Sequence, residues 1–154
     1  MTKLLLTLAA LCAVALAQAQ PAAPAASSAA ATASADDRLF RDLGGQAGID
    51  AIVGEFVPRL VADARMGEFF KKVDQAHLKQ MLSQQFCLVA GGGCAYTGRP
   101  IAEVHHDMDI SRGDFNALVE VLQSAMDAKH VPFATQNRLL ARLAPMHRDI
   151  VTEH

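Results

Sequence analysis

Apolar residues recur three or four positions apart through most of the chain after residue 36, which is the spacing of one face of an α-helix. No segment alternates between apolar and polar residues for long, as a half-buried strand would. Four stretches carry such a face: Ile49, Ile52, Val53, Phe56, Val57 and Leu60; Leu78, Met81, Leu82, Phe86 and Val89; Phe115, Leu118, Val119, Leu122 and Met126; and Leu139, Leu143, Met146 and Ile150. Because each apolar face must be buried against another, the pattern predicts an all-α domain.

Polar residues, glycines and prolines indicate where these helices begin and end. Asp74 and Ser111 are typical N-caps, and Asp114 three positions after Ser111 resembles a capping box. Gly91 to Gly93 is expected to end the second long helix, and Pro132 is expected to open the last one. Only a brief helical turn then fits between the second and third long helices.

The N-terminal segment 1–19 has the features of a secretory signal peptide. Lys3 is followed by an apolar run from Leu4 to Leu16, and Ala17-Gln18-Ala19 has the small-x-small pattern that a signal peptidase recognises. The alternative is an uncleaved N-terminal anchor, although the run is short for a membrane span. We therefore expect an exported, periplasmic protein without a stable membrane span after cleavage.

Two further segments follow the signal in this interpretation. Residues 20–36 are rich in Ala, Pro and Ser, which predicts a disordered tether, and residues 37–154 form the folded domain. Cleavage would remove Cys12 and leave Cys87 and Cys94. In an exported chain these two could form a disulfide, and the alternative is two buried free thiols.

Composition excludes one class of partner. The formal net charge is −2, Trp is absent and Tyr occurs once. With no basic excess and no aromatic stacking surface, we expect no binding to nucleic acid.

The order of short motifs from residue 38 to 152 resembles the group 1 truncated hemoglobins. The resemblance implies an all-α truncated globin fold, a two-on-two helical sandwich around a heme b, and binding of a diatomic gas such as oxygen, carbon monoxide or nitric oxide. Since the chain has no CxxCH motif, the heme is expected to be noncovalent. The motifs that carry the resemblance are Leu43-Gly44-Gly45, Phe69-Phe70, Gly91-Gly92, Tyr96-Thr97-Gly98-Arg99, His105 and Phe115.

The same resemblance assigns residues to the heme. His105 matches the proximal iron ligand, whereas His106 would point elsewhere on a helical turn. Phe70 matches the phenylalanine that packs flat on the heme. Tyr96 and Lys79 resemble positions that touch the heme edge or its propionates.

On the ligand side, this chain departs from the pattern of many relatives, which place a Tyr and a Gln over the bound gas. The matched positions hold Val57, Leu78, Met81 and Leu82, none of which is a strong donor, and Phe86 matches a tunnel-lining aromatic in some relatives. This predicts an apolar wall and weak retention of oxygen.

Two polar residues leave alternatives open. Gln85 lies three positions after Leu82 and therefore on the same helix face. Its side chain either reaches the bound ligand or lies at the edge of the helix and is hydrated by solvent. His77 either lies in solvent, reaches a propionate or becomes a second axial ligand.

Two other functions compete with simple gas binding. One is a heme enzyme, a nitric oxide dioxygenase or peroxidase, which would need a reductase or another electron donor. The other is an exported metal-binding module without heme that uses His105-His106-Asp107-Met108-Asp109. Adjacent side chains on a helix diverge, so those five residues do not form a compact tetrahedral site.

Overall fold

The computed structural model describes residues 37–152, and these residues form helices and connecting loops without a strand. The predicted signal peptide and tether lie outside the described residues. The helices are α1 (Arg38–Asp42), α2 (Gly45–Ala62), α3 (Gly67–Phe70), α4 (Gln75–Ala90), α5 (Ile101–His105), α6 (Arg112–Ala128), α7 (Phe133–Leu143), a 3-10 turn (Ala144–Met146) and α8 (His147–Ile150).

The four long helices form two packed pairs, α2 with α4 and α6 with α7, and the pairs lie against each other. Helix α2 packs against α4 and α6, and α7 packs against both α4 and α6. The short α5 packs against α8. This is the two-on-two arrangement predicted from the sequence, and the all-α prediction is confirmed.

Local capping fixes the ends of the two helices for which the sequence predicted N-caps. The Asp74 side chain accepts hydrogen bonds from the backbone N–H groups of Ala76 and His77, at 2.9 and 3.1 Å. Ser111 and Asp114 form the full capping box at the start of α6. Helix α4 ends at Gly91, whose φ of 85° is in the left-handed region that favours glycine.

The predicted last helix is interrupted, which corrects the sequence interpretation. Helix α7 begins after Pro132 as predicted, but it ends at Leu143, and a 3-10 turn containing Pro145 precedes α8. Pro145 has no N–H to donate, and its ring crowds the carbonyl four residues earlier. By contrast, α2 continues through Pro58 to Ala62.

The core lies between α2, α4 and α6. Its largest fully buried side chains include Phe56, Ile52, Leu60, Leu122 and Met126. No helix within residues 37–152 is both long and apolar enough to cross a membrane.

Candidate functional site

A cavity of about 560 Å³ lies between α4, α5, α6 and the C-terminal helices. Its size falls within the range of small-molecule and cofactor pockets. Most of the surface that surrounds it is apolar, and the polar groups in its lining are few: His77, Gln85, Tyr96, Arg99 and His105. A ligand that fills it must therefore be mainly apolar.

His105 presents an imidazole to this cavity in a defined orientation. Its Nδ1 lies 2.7 Å from the carbonyl oxygen of Ile101, one turn earlier on α5. A carbonyl oxygen can only accept, so Nδ1 donates the hydrogen bond, and in the neutral ring the other nitrogen, Nε2, keeps its lone pair. A histidine held in this way is the usual arrangement for a metal ligand.

The short helix that carries His105 is bounded by its sequence. Pro100 precedes its first residue, Ile101, and Asp109 adopts a positive φ of 47° that turns the chain before Ser111 starts α6. Only five residues are helical between these points. His105 is the last of them, so its position depends on this short element.

The adjacent histidine is outside the cavity lining. His106 is exposed and its Nδ1 lies 2.7 Å from Oδ1 of Asp107. Within residues 37–152 no group of three or more His, Cys, Asp or Glu side chains is arranged to hold a metal ion. His106 and Asp107 therefore do not join His105 at the cavity, as a metal site built on these adjacent residues would require.

Most residues that the resemblance assigned to the heme line the cavity. Leu78, Met81, Leu82 and Phe86 reach it from α4, Phe70 from α3 and Tyr96 from the loop after α4. The ring of Phe86 is packed against that of Phe56, with centroids 6.4 Å apart.

Two of the assigned residues do not line the cavity. Val57 is fully buried in the core, whereas Phe56 and Leu60 on the same helix line the cavity. Successive residues of a helix are rotated by about 100°, so Val57 is turned away from the face that Phe56 and Leu60 share. Lys79 is half-buried and follows Leu78, but it is not part of the lining either.

Several lining residues had no site role in the sequence analysis. Phe56, Leu60 and Met146 appeared there only as members of apolar helix faces. Met108 appeared only in the five-residue segment considered for a metal site without heme. Arg99 also lines the cavity and pairs with Glu103 at 2.7 Å. Its place in the Tyr96-Thr97-Gly98-Arg99 motif was the one available signal.

Gln85 lines the cavity, which favours the first of its two alternatives. Its side-chain nitrogen Nε2 lies 3.6 Å from the sulfur of Met146, on the opposite wall. A thioether is a weak acceptor, so this amide has donor capacity left inside an apolar space. His77 is exposed and also borders the cavity.

Two carboxylates near the site have lowered pKa values. The Ser111 hydroxyl and backbone N–H donate to Asp114 and hold the pKa of that carboxyl below its ordinary value of 3.8. At the corner before α3, hydrogen bonds from Arg65 lower the pKa of Asp63 to about 2. Asp63 also pairs with the Arg65 guanidinium at 3.1 Å, an ion pair that requires the carboxyl to be ionised.

Cys87 and Cys94 form a disulfide, with their Cα atoms 5.8 Å apart. Of the two alternatives for these cysteines, the structure has the bridge. It joins the last turn of α4 to the loop of residues 91–100 that leads to α5.

Comparisons with known proteins agree with this geometry. Residues 38–152 match the family model described as bacterial-like globin. The chain is 31% identical over 114 residues to the group 1 truncated hemoglobin GlbN of Mycolicibacterium paratuberculosis, covering 74% of this chain and 84% of that protein. It is 31% identical over 129 residues to the corresponding GlbN of Synechocystis, covering 75% of this chain and 98% of that protein.

The chain belongs to the bacterial-like globins and, more narrowly, to the group 1 truncated hemoglobins. Among solved structures it resembles the truncated hemoglobin of Tetrahymena pyriformis in its Fe(III) form, with a TM-score of 0.71 and 26% identity. That match covers 73% of this chain and 97% of that one. As a truncated hemoglobin the chain is a heme protein that binds a diatomic gas.

Proposed function

We propose that this truncated hemoglobin holds heme b noncovalently in the 560 Å³ cavity, with Nε2 of His105 as the protein ligand of the iron, and binds a diatomic gas in the same cavity. The observation that carries the proposal is the 2.7 Å hydrogen bond from His105 Nδ1 to the Ile101 carbonyl oxygen. In the neutral ring it fixes the tautomer in which Nε2 is unprotonated, and it holds the ring in one orientation. The heme supplies an iron centre that binds the gas reversibly.

The cavity lining fits a porphyrin in both of its chemical parts. The apolar macrocycle is accommodated by side chains such as Phe69, Phe70 and Leu118. The two carboxylates of heme b need polar partners, and Arg99, Tyr96 and His77 supply them within the lining. The Arg99 side chain is 64% exposed, as expected for a group that meets carboxylates at the solvent edge.

The α4 wall of the cavity would determine which gas is retained. Leu78, Met81 and Leu82 provide no strong donor, so they stabilise polar and apolar gases equally. Gln85 is the exception, because the one side-chain hydrogen-bond partner of its amide within residues 37–152 is the weak acceptor Met146 Sδ. We assign Gln85 the role of donating to a polar ligand such as oxygen, and we expect little effect on carbon monoxide.

Export to the periplasm is part of the proposal. It is supported by the signal-like segment 1–19 and by the Cys87–Cys94 disulfide, since such bridges persist in oxidising compartments. A reductase or other electron donor belongs to the proposal as well, because oxygen and carbon monoxide bind ferrous heme.

Absorption spectra of the recombinant domain supplied with hemin test the proposal. The expected result is one equivalent of bound heme, with a Soret band that shifts on reduction and again on addition of carbon monoxide. A domain that folds but takes up no hemin would contradict the proposal. The ferrous spectrum without added gas also shows whether His77 provides a second axial ligand.

A further inference from the structure

The Cys87–Cys94 disulfide holds one end of the loop that closes part of the cavity. Cys87 is fully buried at the end of α4, directly after the cavity residue Phe86. Cys94 is half-buried in the loop of residues 91–100, and its sulfur lies 3.5 Å from Oε1 of the exposed Gln46. The Cys87 end of the bridge therefore lies in the core, and the Cys94 end is the one that a molecule in solvent can reach.

The backbone beside the bridge is closely packed. A Cβ atom added to Gly92 would lie 2.6 Å from the sulfur of Cys87 and 2.5 Å from Cδ2 of Phe40. Real Cβ atoms do not approach other atoms so closely, so only glycine fits here. The start of the loop is thus held against both α1 and α4.

Beyond Cys94, the same loop reaches the cavity. The backbone N–H and the hydroxyl of Thr97 both donate to Oε1 of Gln84, each at 3.0 Å. The residues on either side of Thr97, Tyr96 and Gly98, line the cavity. Tyr96, Gly98 and their α4 neighbour also pack tightly, because a Cβ on Gly98 would lie 2.4 Å from the Tyr96 ring and 3.0 Å from the sulfur of Met81.

The loop then continues into the helix that carries His105. Arg99 lines the cavity and pairs with Glu103 of α5 at 2.7 Å. The loop therefore connects the α4 wall of the cavity to the helix with the proposed iron ligand. The disulfide, the Thr97–Gln84 hydrogen bonds and this ion pair hold the loop between α4 and α5.

We infer that the Cys87–Cys94 disulfide is a reducible clasp on the heme cavity, and that a dithiol reductant acting on it controls how long the protein retains heme. The inference rests on the proposed function, because heme is the ligand whose retention it concerns. A disulfide that rigidifies a binding loop increases affinity by reducing the entropy lost on binding. Without the bridge, the loop keeps its packing at Gly92 and Gly98, the hydrogen bonds of Thr97 and a surface ion pair, and these polar contacts exchange readily with water.

The chemistry is thiol–disulfide exchange. One thiolate of the reductant attacks Sγ of Cys94, the more accessible sulfur, and Cys87 leaves as a thiolate that takes up a proton. The second thiol of the reductant then attacks the mixed disulfide and releases Cys94 as a thiol. The protein disulfide is reduced to two thiols, and the dithiol is oxidised to its own disulfide.

Heme transfer from the holoprotein to an excess of an apoglobin acceptor measures retention, followed at the Soret band. Three samples are compared: wild type with the disulfide intact, wild type after treatment with dithiothreitol, and Cys94→Ser without reductant. The variant lacks the bridge but keeps the core residue Cys87. We expect heme loss to be about tenfold faster in the reduced protein and in Cys94→Ser, by release of the bound loop. Equal rates in all three samples would overturn the inference.

A matched control separates the clasp from a general loss of stability. Gln136 is buried at the start of α7, outside the cavity lining, and donates to Asp127 and to the Val131 carbonyl at 2.7 and 2.9 Å. Gln136→Ala should lower the Tm without changing the rate of heme loss. If it accelerates heme loss as much as Cys94→Ser does for the same fall in Tm, the disulfide has only a structural role and the inference is wrong.

Hydrogen exchange of the full-length protein as purified, before and after reduction, tests the loop separately from the proposed function. Amides of residues 95–99 should exchange faster after reduction, while amides in the middle of α6 stay unchanged. Unchanged exchange in the loop would overturn the clasp. If the protein takes up no hemin, the proposed function is contradicted instead. The exchange rates of the loop amides still show whether the disulfide restrains the loop.

Discussion

The Nδ1 atom of His105 lies 2.7 Å from the carbonyl oxygen of Ile101, within one turn of the same five-residue helix. This contact determines which ring nitrogen is protonated and leaves Nε2 to face a ligand in the apolar cavity. The residue next in sequence, His106, is exposed and pairs with Asp107. The two adjacent imidazoles therefore lie in different surroundings, because successive side chains on a helical turn point about 100° apart.

Gln85→Leu should make oxygen dissociate faster. The amide of Gln85 lines the cavity and, in the part of the chain that the structure describes, bonds only to Met146 Sδ, so it is available to a polar ligand. Loss of about 1.4 kcal/mol of hydrogen bonding corresponds to about a tenfold faster off-rate. Stopped-flow oxygen dissociation measures this, and carbon monoxide dissociation should change much less.

The matched control for that variant is Gln80→Leu, which removes an exposed amide from the same helix outside the cavity lining. Its oxygen off-rate should equal that of wild type. If Gln85→Leu also releases oxygen at the wild-type rate, the α4 wall lacks a functional donor and Gln85 takes the alternative of hydration at the helix edge.

Val57→Ala should lower stability and leave gas binding unchanged. Val57 is fully buried in the core and does not line the cavity. Removing two buried methyl groups costs about 2 kcal/mol of the free energy of unfolding, measured by urea denaturation of the carbon monoxide complex. An altered oxygen or carbon monoxide off-rate at full heme occupancy would place Val57 at the ligand after all.

The contrast between Val57 and the helix caps shows what the sequence could and could not determine. Asp74, Gly91 and Ser111 were predicted correctly because capping depends on residues within one turn of the helix end. The apolar stripe of α2 contains both Phe56 and Val57, and periodicity alone does not determine which of them faces the cavity. That choice depends on how α2 packs against α4 and α6.

Two further features needed the three-dimensional structure. The spacing of Cys87 and Cys94 was compatible with a bridge and with free thiols, because a glycine-rich segment can bend in many ways. Gln85 has its weak partner 61 positions away in sequence, across the cavity at Met146. Such distant pairs are set by tertiary packing, whereas the sequence could single out His105 as a candidate ligand because a series of motifs surrounds it.

Ser111→Ala should destabilise the start of α6. The Ser111 hydroxyl accepts from the backbone N–H of Asp114 at 3.1 Å and also donates to its carboxylate at 2.7 Å. Loss of such an N-cap costs about 1 kcal/mol of the free energy of unfolding, measured by urea denaturation. Ser111→Thr keeps the hydroxyl and should recover most of that loss, and a Thr variant as unstable as Ala would contradict the capping role.

Asp63→Asn should weaken the dependence of stability on acidic pH. Hydrogen bonds from Arg65 lower the pKa of Asp63 from 3.8 to about 2 in the folded protein. Because the folded pKa lies below the unfolded one, this carboxylate stabilises the fold above its unfolded pKa and loses that contribution as the pH falls toward 2. Urea denaturation across this range should show a smaller decline for the variant than for wild type.

Arg65→Gln provides the matching test of the cause. It removes the guanidinium that pairs with Asp63 at 3.1 Å and also with Glu120 at 2.6 Å. The acid-induced loss of stability should be reduced in this variant as well. If Arg65→Gln declines as steeply as wild type while Asp63→Asn does not, another group lowers the pKa of Asp63.

The central claim is that His105 is the protein ligand of a heme iron in this cavity. Hemin titration of His105→Ala beside His106→Ala tests it most directly, since the two variants remove neighbouring imidazoles from the same turn. We expect His106→Ala to give the wild-type Soret spectrum and stoichiometry, and His105→Ala to lose heme or to bind it with an altered spectrum that added imidazole restores. A wild-type spectrum and affinity in His105→Ala, with folding shown by circular dichroism, would contradict the assignment.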